Sequence, residues 1–170
     1  MLLSILFIDY IAFGRFYMKI SKKGEYAIKA MTELAVNYDK GEPVTLINEV
    51  AKRKAIPQKY LEQILLSLKK AGLLDARRGV GGGYSLSRPP AEISLGQIIR
   101  AVEGPLAPMG CASISAHVSC PDESLCGLNS VMLEVRDAIS SILDNTSLQD
   151  LVKRTNDLID KRNNISSYAI

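Results

Sequence analysis

The sequence is poor in the residues on which catalysis and secretion most often depend. Its 170 residues include three cysteines and one histidine. Three cysteines are too few, and odd in number, for the disulfide framework of a small secreted protein, so we expect a cytosolic protein whose thiols stay reduced. The sequence also shows no acid–base pair, no nucleophile with its base and no phosphate-binding loop, which argues against an enzyme.

No apolar run is long enough to cross a bilayer, which takes about 20 residues. Residues 1–17 read MLLSILFIDYIAFGRFY and contain every phenylalanine of the protein. This apolar extension lacks the basic region and the small-residue cleavage site of a signal peptide. Two explanations stay open: translation begins at Met18 and the extension is an upstream misreading, or the extension is a short amphipathic membrane anchor.

The net charge of +3 conceals an uneven distribution. Residues 18–90 contain 14 Lys and Arg against 7 Asp and Glu, whereas residues 91–170 contain 6 against 10. A basic half followed by an acidic half indicates that the first half meets a polyanion such as nucleic acid, although two ordinary solvated surfaces would give the same counts.

Three helices are predicted in the basic half. Apolar residues recur at helical spacing from about Lys22 to Tyr38. Thr45 is expected to be the N-cap of a short second helix, and Pro57 opens a third helix that Gly72 closes. Two short helices joined by a tight turn form a helix-turn-helix. The predicted buried face of the third helix is Leu61, Ile64, Leu65 and Leu68.

The outer face of the third helix is polar. Gln and Lys side chains can bond to base edges, Glu can accept from cytosine, and Lys can neutralise phosphate. A plain three-helix core with a polar outer face would show the same pattern. The residues of this helix that we predict to contact DNA are Gln58, Lys59, Tyr60, Glu62, Gln63 and Lys70.

A glycine-rich segment, LLDARRGVGGGYSLSRPP, follows the third helix. Apolar residues alternate with polar ones on both sides of the glycines, which predicts a β-hairpin. Arg77, Arg78 and Gly79 lie at the base of its tip, where they can meet the DNA backbone or minor groove. A nucleotide-binding loop is excluded, because Tyr84 stands where the last glycine of G-x-G-x-x-G is needed. A helix-turn-helix followed by a basic hairpin is a winged helix.

The acidic half is also predicted to be helical. Ser94 and Gln97 form a capping box for the helix LGQIIRAVE, and Thr146 and Gln149 are expected to cap a last helix. Between these helices, apolar residues recur at alternating spacings of four and three, as in a helix that packs against a partner helix. This seam is Leu128, Met132, Val135, Ile139 and Ile142. A monomer whose seam folds against its own winged helix is the alternative.

All three cysteines and the histidine lie in one segment, CASISAHVSCPDESLC, from Cys111 to Cys126. The spacing lacks the close cysteine pairs of a zinc site, and a structural disulfide is not expected in the cytosol. Iron–sulfur clusters accept thiolates from irregular loops and tolerate a fourth ligand other than cysteine. Taken alone, the segment stays ambiguous between a metal or redox site and a metal-free loop.

Longer stretches of the sequence carry a family resemblance. The segments IPQKYLEQILLSLKKAGLL and RRGVGGGYSLSRPPAEISLGQIIRAVEGPL closely resemble the IscR/NsrR-type transcriptional regulators of the Rrf2 family. The resemblance extends from Met18 to about Asp160 and includes the start MKISKKGEYA, which favours Met18 as the first residue. It implies a dimeric winged helix that binds short palindromic operators as a repressor or an activator.

The resemblance also implies a cofactor. Cluster-bearing members of the family carry three cysteines in this loop and end it with a C-x5-C step, as this chain does. The ligands that this implies for an iron–sulfur cluster of two or four irons are Cys111, Cys120 and Cys126. The IscR-like pattern places a histidine three residues later, where this chain has Asn129. Other members use a carboxylate from the first helix of the partner subunit, which corresponds to Glu25, and His117 is the rival fourth ligand.

These features together predict a mainly α protein with a small β-hairpin wing: a winged helix-turn-helix plus a long dimerisation helix. The expected divisions are an apolar extension (1–17), a DNA-binding domain (18–90), a linking helix with the cysteine loop (91–126), the dimerisation and C-terminal helices (127–162) and a frayed tail (163–170). The predicted function is that of a cytoplasmic, homodimeric, sequence-specific DNA-binding transcriptional regulator controlled by an iron–sulfur cluster, with no membrane or small-molecule substrate. The alternatives are a cluster-free regulator that responds to a metabolite or a protein and, more remotely, an iron–sulfur redox enzyme.

Overall fold

A computed structural model describes residues 20–79 and 81–167, so the predictions for residues 1–17 and for Met18 lie outside the described residues. Within them the chain forms six α-helices and one two-stranded antiparallel hairpin. The helices are α1 (Lys22–Asp39), α2 (Ile47–Lys54), α3 (Gln58–Lys70), α4 (Leu95–Glu103), α5 (Gly127–Asp144) and α6 (Leu148–Ser167). The strands are β1 (Leu74–Arg77) and β2 (Gly83–Leu86). No helix in this part of the chain is long and apolar enough to cross a membrane.

Helix α1 forms the centre of the core. The Ser21 hydroxyl caps it by accepting from the backbone N–H groups of Lys23 and Gly24, at 3.1 and 3.2 Å. The helix packs against α3, α4 and α6, and its alanines allow these neighbours to approach closely. Its innermost side chains, each 1% exposed or less, are Ala27, Ala30, Met31, Leu34 and Ala35.

Helix α3 has the buried face that the sequence predicts. Its four core side chains, each 1% exposed or less, are Leu61, Ile64, Leu65 and Leu68. Burial of each contributes about 1.5–3 kcal/mol. The helix ends at Lys70, and Gly72 follows its C-cap with a φ of +72°, which favours glycine. The N–H of Leu73 donates to the Leu68 carbonyl at 3.0 Å. Pro57 lies just before the helix, and its carbonyl accepts from the N–H of Leu61.

Thr45 has a different role from the predicted N-cap. Helix α2 begins after Leu46, which has no side chain that could cap it. Thr45 is buried, its hydroxyl accepts a hydrogen bond from Asn37 at 3.0 Å, and its backbone exchanges two hydrogen bonds with Tyr84 of β2. The prediction was wrong because a cap pattern contains no information about strand pairing with a distant segment. Thr45 therefore joins the hairpin to the helices.

The hairpin pairs Leu74 with Leu86 at its base and Arg77 with Gly83 near its tip. A Cβ atom at Gly83 would lie 2.4 Å from the carbonyl oxygen of Thr45. The absence of a side chain therefore allows the hairpin to approach the segment before α2 closely. Its basic tip consequently has a defined position next to the helices.

Helices α4 and α6 of the acidic half each begin with a reciprocal pair of capping hydrogen bonds. Ser94 and Gln97 form the predicted one: the Ser94 hydroxyl accepts from the Gln97 N–H, and the Gln97 side chain accepts from the Ser94 N–H. At α6 the predicted pair is wrong by one residue, because Ser147 and Asp150 form the reciprocal bonds, at 2.9 and 3.1 Å. Thr146 is buried and donates to the carbonyl of Ile142. Helix α6 also continues to Ser167, into the segment predicted to fray.

Helix α5 is only lightly covered by its own chain. It contacts α4 and the 3-10 turn Gly110–Ala112, and Asn129 is its one buried residue. Its most exposed apolar residues, which we call the α5 stripe, are Leu128, Val131 and Ile142, at 55%, 51% and 67% exposure. The other members of the predicted seam are half-buried. The free apolar surface is thus rotated slightly from the predicted seam.

Glu33 joins α1 to α2 and gives the fold a pH-dependent contribution. It is 7% exposed and accepts from Arg53 and Lys54 at 2.8 Å each. Burial alone raises the pKa of Glu33, but the hydrogen bonds from Lys54 and Arg53 outweigh burial and hold the pKa below its ordinary value. A depressed pKa means that the stabilisation is complete above about pH 5 and is lost as the pH falls through that pKa.

We therefore expect Glu33→Gln to lower the free energy of unfolding at pH 7 by about 1–2 kcal/mol, since Arg53 is half exposed and its bond is partly screened. The difference from the wild type should be smaller at pH 3, because the stabilisation is lost as the carboxylate is protonated. Urea unfolding at both pH values measures it, with the exposed Glu134→Gln as the control. An equal difference at both pH values would contradict the assignment.

Candidate nucleic-acid interface and cysteine loop

Helix α3 presents a polar outer face opposite its buried leucines. Gln58, Lys59, Glu62, Gln63 and Lys70 are all exposed, as the helical period requires. The only hydrogen bond between side chains of this set is a long one, 3.4 Å, from Gln58 to Glu62. These donors and acceptors are therefore available to an external partner.

Tyr60 lies on a different side of α3 from the other predicted residues. It is half-buried, and its ring meets that of Tyr26 edge-on, with 5.9 Å between centroids. This contact fastens α3 to α1. The structure therefore places Tyr60 against α1 rather than among the exposed polar residues of α3, and its contact with DNA stays a prediction.

A trough of about 570 Å³ separates α3 from the hairpin. Arg77, Arg78 and Gly79 line its hairpin side, and Gln58 lines its helical side. The lining also includes residues that were not predicted, among them Asn48, Leu66 and Lys69. The helical period places Lys69 three turns after Gln58, so the sequence contained that signal. Asn48 could not be found in this way, because it reaches the trough through the packing of α2 on α3.

The basic residues of the helix-turn-helix fall into two groups. Arg53 and Lys54 of α2 are neutralised by Glu33. In contrast, no ion pair among the described residues involves the three cations that line the trough, Lys69, Arg77 and Arg78. The exposed Lys59 and Lys70 of α3 are likewise without an ion pair in this part of the chain. Unpaired cations on one concave surface attract a polyanion.

The three cysteines lie at separate points of the loop between α4 and α5. Cys111 lies in the 3-10 turn, Cys120 is exposed, and Cys126 is the N-cap of α5, where its Sγ accepts from the N–H of Asn129 at 3.4 Å. None of the three is in a disulfide. Among the described residues, no three His, Cys, Asp or Glu side chains are close enough to hold a metal ion.

A carboxylate and an arginine shape the cysteine loop. Glu123 Oε2 accepts from the N–H of Cys120 at 3.4 Å and lies 3.3 Å from Nε2 of His117. Arg136 of α5 donates to the carbonyl of Ala112 at 2.9 Å. The predicted rival ligand His117 therefore already has a carboxylate partner.

Asn129 was not among the predicted ligands, but it has an unusual environment. It is 8% exposed, and its side-chain oxygen is buried without a hydrogen-bond partner among the described residues. Its backbone bonds directly to Cys126. An unsatisfied buried acceptor costs about 1–3 kcal/mol.

Glu25 lies on the exposed side of the first turn of α1. It bonds to Lys22 at 2.7 Å and to Lys29 at 2.6 Å. The hydrogen bonds from Lys22 and Lys29 lower the pKa of Glu25 to about 2, so the side chain is a carboxylate at neutral pH. Its role as a ligand in the cysteine loop of a partner subunit stays a prediction.

Comparison with known proteins identifies the family. The sequence pattern of the Rrf2 family, described as an iron-dependent transcriptional regulator, matches residues 20–154. The chain belongs to the Rrf2 family. The resemblance seen in the sequence is confirmed, as are the winged-helix fold and the regulatory rather than enzymatic nature of the protein.

Two kinds of Rrf2 regulator resemble the chain to a similar extent. CymR of Bacillus subtilis is 36% identical over 138 residues, which cover 81% of this chain and 92% of CymR. Its solved structure, described as that of the global cysteine regulator, matches with a TM-score of 0.67 and covers 81% of this chain and 98% of that one.

IscR of Aliivibrio salmonicida is 36% identical, covering 79% of this chain and 77% of IscR. The solved T. potens IscR matches with a TM-score of 0.65 and 34% identity, covering 81% of this chain and 88% of that one. The relatives are named HTH-type regulators, so DNA is the expected partner of this Rrf2 protein.

Proposed function

We propose that the protein is a homodimeric, sequence-specific transcriptional regulator whose operator binding depends on an iron–sulfur cluster held by Cys111, Cys120 and Cys126. The observation that carries the DNA-binding part is the unpaired basic trough between α3 and the hairpin. In a helix-turn-helix protein the second helix enters the major groove, which brings the polar face of α3 to the base edges. Arg77 and Arg78 then meet the sugar–phosphate backbone beside it.

The dimer is supported by the incomplete covering of α5. The α5 stripe exposes three large apolar side chains, two near the start and one near the end of a helix with one buried residue. A second copy that packs its own α5 stripe against the first removes this surface from water. A two-fold dimer then presents two α3 helices about 34 Å apart, one turn of DNA, which suits a palindromic operator.

The donor set of the cysteine loop fits an iron–sulfur cluster. It offers three free thiols on an irregular loop, and thiolates are the ligands such clusters prefer. The buried, unsatisfied oxygen of Asn129 beside Cys126 is consistent with a group that is still to be bound there. The three thiols do not converge within the single chain, so we propose that the loop closes when the cluster is assembled. When bound, the cluster supplies a centre that responds to oxidation, nitric oxide or loss of iron.

Two contacts join the cysteine loop to α5. Cys126 caps the helix, and Arg136 donates to the Ala112 carbonyl beside Cys111. A change in the loop conformation therefore acts directly on the start and the middle of the proposed dimerisation helix.

Two further contacts continue from α5 to the DNA-binding domain. Arg100 of α4 forms a bidentate pair with Asp144 at the end of α5. Glu103, the last residue of α4, accepts from the N–H and the hydroxyl of Ser21, at 3.0 and 2.9 Å, and so holds the start of α1. Through these contacts the state of the loop can shift the population of dimers that place both α3 helices correctly.

The test is anaerobic purification of the whole protein, with iron and sulfide analysis, followed by operator binding with and without the cluster. We expect bound iron and sulfide, and a change in operator affinity when the cluster is removed. A protein that binds iron with no effect on DNA binding would contradict the regulatory role.

A cluster-free regulator is the second candidate function. The observation that favours it is the similarity to CymR, described as a global cysteine regulator, which at 36% identity is as great as the similarity to IscR. For this candidate, anaerobically purified protein is colourless and free of iron, and it still binds its operator. A metabolite or a protein partner would then control binding through the same contacts.

Arg78 and Gln63 allow the two components of DNA binding to be separated. We expect Arg78→Ala to weaken binding to all sequences and to reduce the salt slope by about one unit, because one phosphate contact is lost. Gln63→Ala should instead reduce the discrimination between bases at one base pair, by about 1–3 kcal/mol. Affinities at several salt concentrations, on operator and random duplexes, measure both effects. An equal loss of affinity for operator and random duplexes in Gln63→Ala would count against readout of a base by this residue.

A further inference from the structure

One large apolar side chain lies in the middle of the polar outer face of α3. Leu66 is 49% exposed, whereas the other leucines of this helix are buried in the core. Its neighbours one turn away on either side are Glu62, Gln63, Lys69 and Lys70, all exposed. The core face of α3 is already formed by Leu61, Ile64, Leu65 and Leu68, so Leu66 is not needed to complete the core.

The position of Leu66 distinguishes it from an ordinary exposed leucine. Single apolar residues are common on protein surfaces. Leu66, however, lines the trough between α3 and the hairpin, together with Gln58, Lys69 and Arg78. The cations of this trough have no ion pairs among the described residues, and they would draw DNA onto this face.

DNA offers one apolar group to a helix in the major groove. Each base edge there carries hydrogen-bond donors and acceptors, and only thymine adds a methyl group, at C5. A leucine against cytosine or a purine edge would cover polar atoms that otherwise bond to water. Because leucine cannot replace those hydrogen bonds, the contact is unfavourable. A leucine against thymine buries two apolar surfaces at once.

We propose that Leu66 determines part of the operator preference by contacting the C5-methyl group of a thymine. The proposal rests on the proposed entry of α3 into the major groove. It assigns to α3 an apolar contact in addition to the hydrogen bonds expected from Gln63 and Glu62. The chemical feature recognised is the methyl group, so 5-methylcytosine at the same place would satisfy the apolar part of the contact.

The experiment removes the methyl group and the leucine separately. Duplexes that bind the full-length protein are first obtained by in vitro selection, and each thymine is then replaced in turn by deoxyuridine, which lacks only the methyl. At one thymine per half-site we expect the wild type to lose about fourfold in affinity. Leu66→Ala should bind the thymine and deoxyuridine duplexes equally at that position. Leu66→Met, which keeps the apolar bulk, should restore most of the sensitivity.

The control is Lys59→Ala on the same helix. It should weaken binding to the thymine and deoxyuridine duplexes by the same factor, because a contact with phosphate is blind to the methyl. The proposal is overturned if Leu66→Ala keeps the full methyl sensitivity of the wild type, or if no thymine methyl affects the wild type. If selection yields no preferred sequence at all, the proposed sequence-specific function fails as well, and the two failures are thus distinguishable.

Discussion

A protein that carries both Val131→Glu and Ile142→Glu is expected to be monomeric and to bind its operator at least about 100-fold more weakly than the wild type. Both side chains belong to the α5 stripe and are more than half exposed in the single chain, so the substitutions leave the core intact. In a dimer they would bury two charges per chain in an apolar contact, where an unpaired charge is costly. Once the dimer is lost, the second half-site must be bound from solution, without the effective concentration that the linked partner provides.

Adjacent residues of α5 provide a matched control for this prediction. Ser130 and Ser141 are exposed neighbours of the substituted residues and face away from the α5 stripe. Ser130→Glu with Ser141→Glu adds the same charge to the same helix, and this variant should remain dimeric. Sedimentation equilibrium gives the mass of each protein, and titration of a fluorescent operator gives the affinity. A wild type that is monomeric at micromolar concentration, or a stripe variant that stays dimeric, would contradict the proposed interface.

The fold was predictable where the sequence pattern is local. The apolar period of α3 predicts its buried face, and the Ser94–Gln97 pair predicts the start of α4, because both depend on residues within a turn or two. Thr45 fits a local cap pattern equally well, but its pairing with Tyr84 is formed across a long stretch of chain. Ser147 and Thr146 are both good caps by composition, and Thr146 is not the cap because it is buried and its hydroxyl already donates to the Ile142 carbonyl.

The candidate site was predictable to a smaller degree. The period of α3 identifies which polar residues face outward, yet it does not show that Tyr60 turns to meet Tyr26, because that contact requires the angle between α3 and α1. The metal-binding chemistry of the three cysteines could be predicted from their residue type alone. The buried oxygen of Asn129 is invisible in the sequence, since an asparagine gives no indication of whether its partners are present.

Replacement of any one of the three cysteines by alanine is expected to remove most of the bound iron. Outer-sphere partners of a metal already contribute about 10- to 100-fold in affinity, so loss of a thiolate ligand should cost at least as much. Cys120 is the most exposed of the three, and Cys120→Ala should not disturb the fold. Iron and sulfide analysis and visible absorption of anaerobically prepared protein measure the loss. Ser119→Ala, one residue away in the same loop, should retain the cluster.

The absorption spectrum of the cluster is expected to show whether Glu25 or His117 is the fourth ligand. Glu25→Ala should change the absorption spectrum of the bound cluster if the carboxylate of the partner subunit is a ligand, although its bonds to Lys22 and Lys29 must first be broken. His117→Ala should leave the spectrum unchanged, because His117 pairs with Glu123. An unchanged spectrum in Glu25→Ala protein would reject Glu25. A change in His117→Ala protein alone would transfer the role to the histidine, and the ligand would then lie in the same chain as the cysteines.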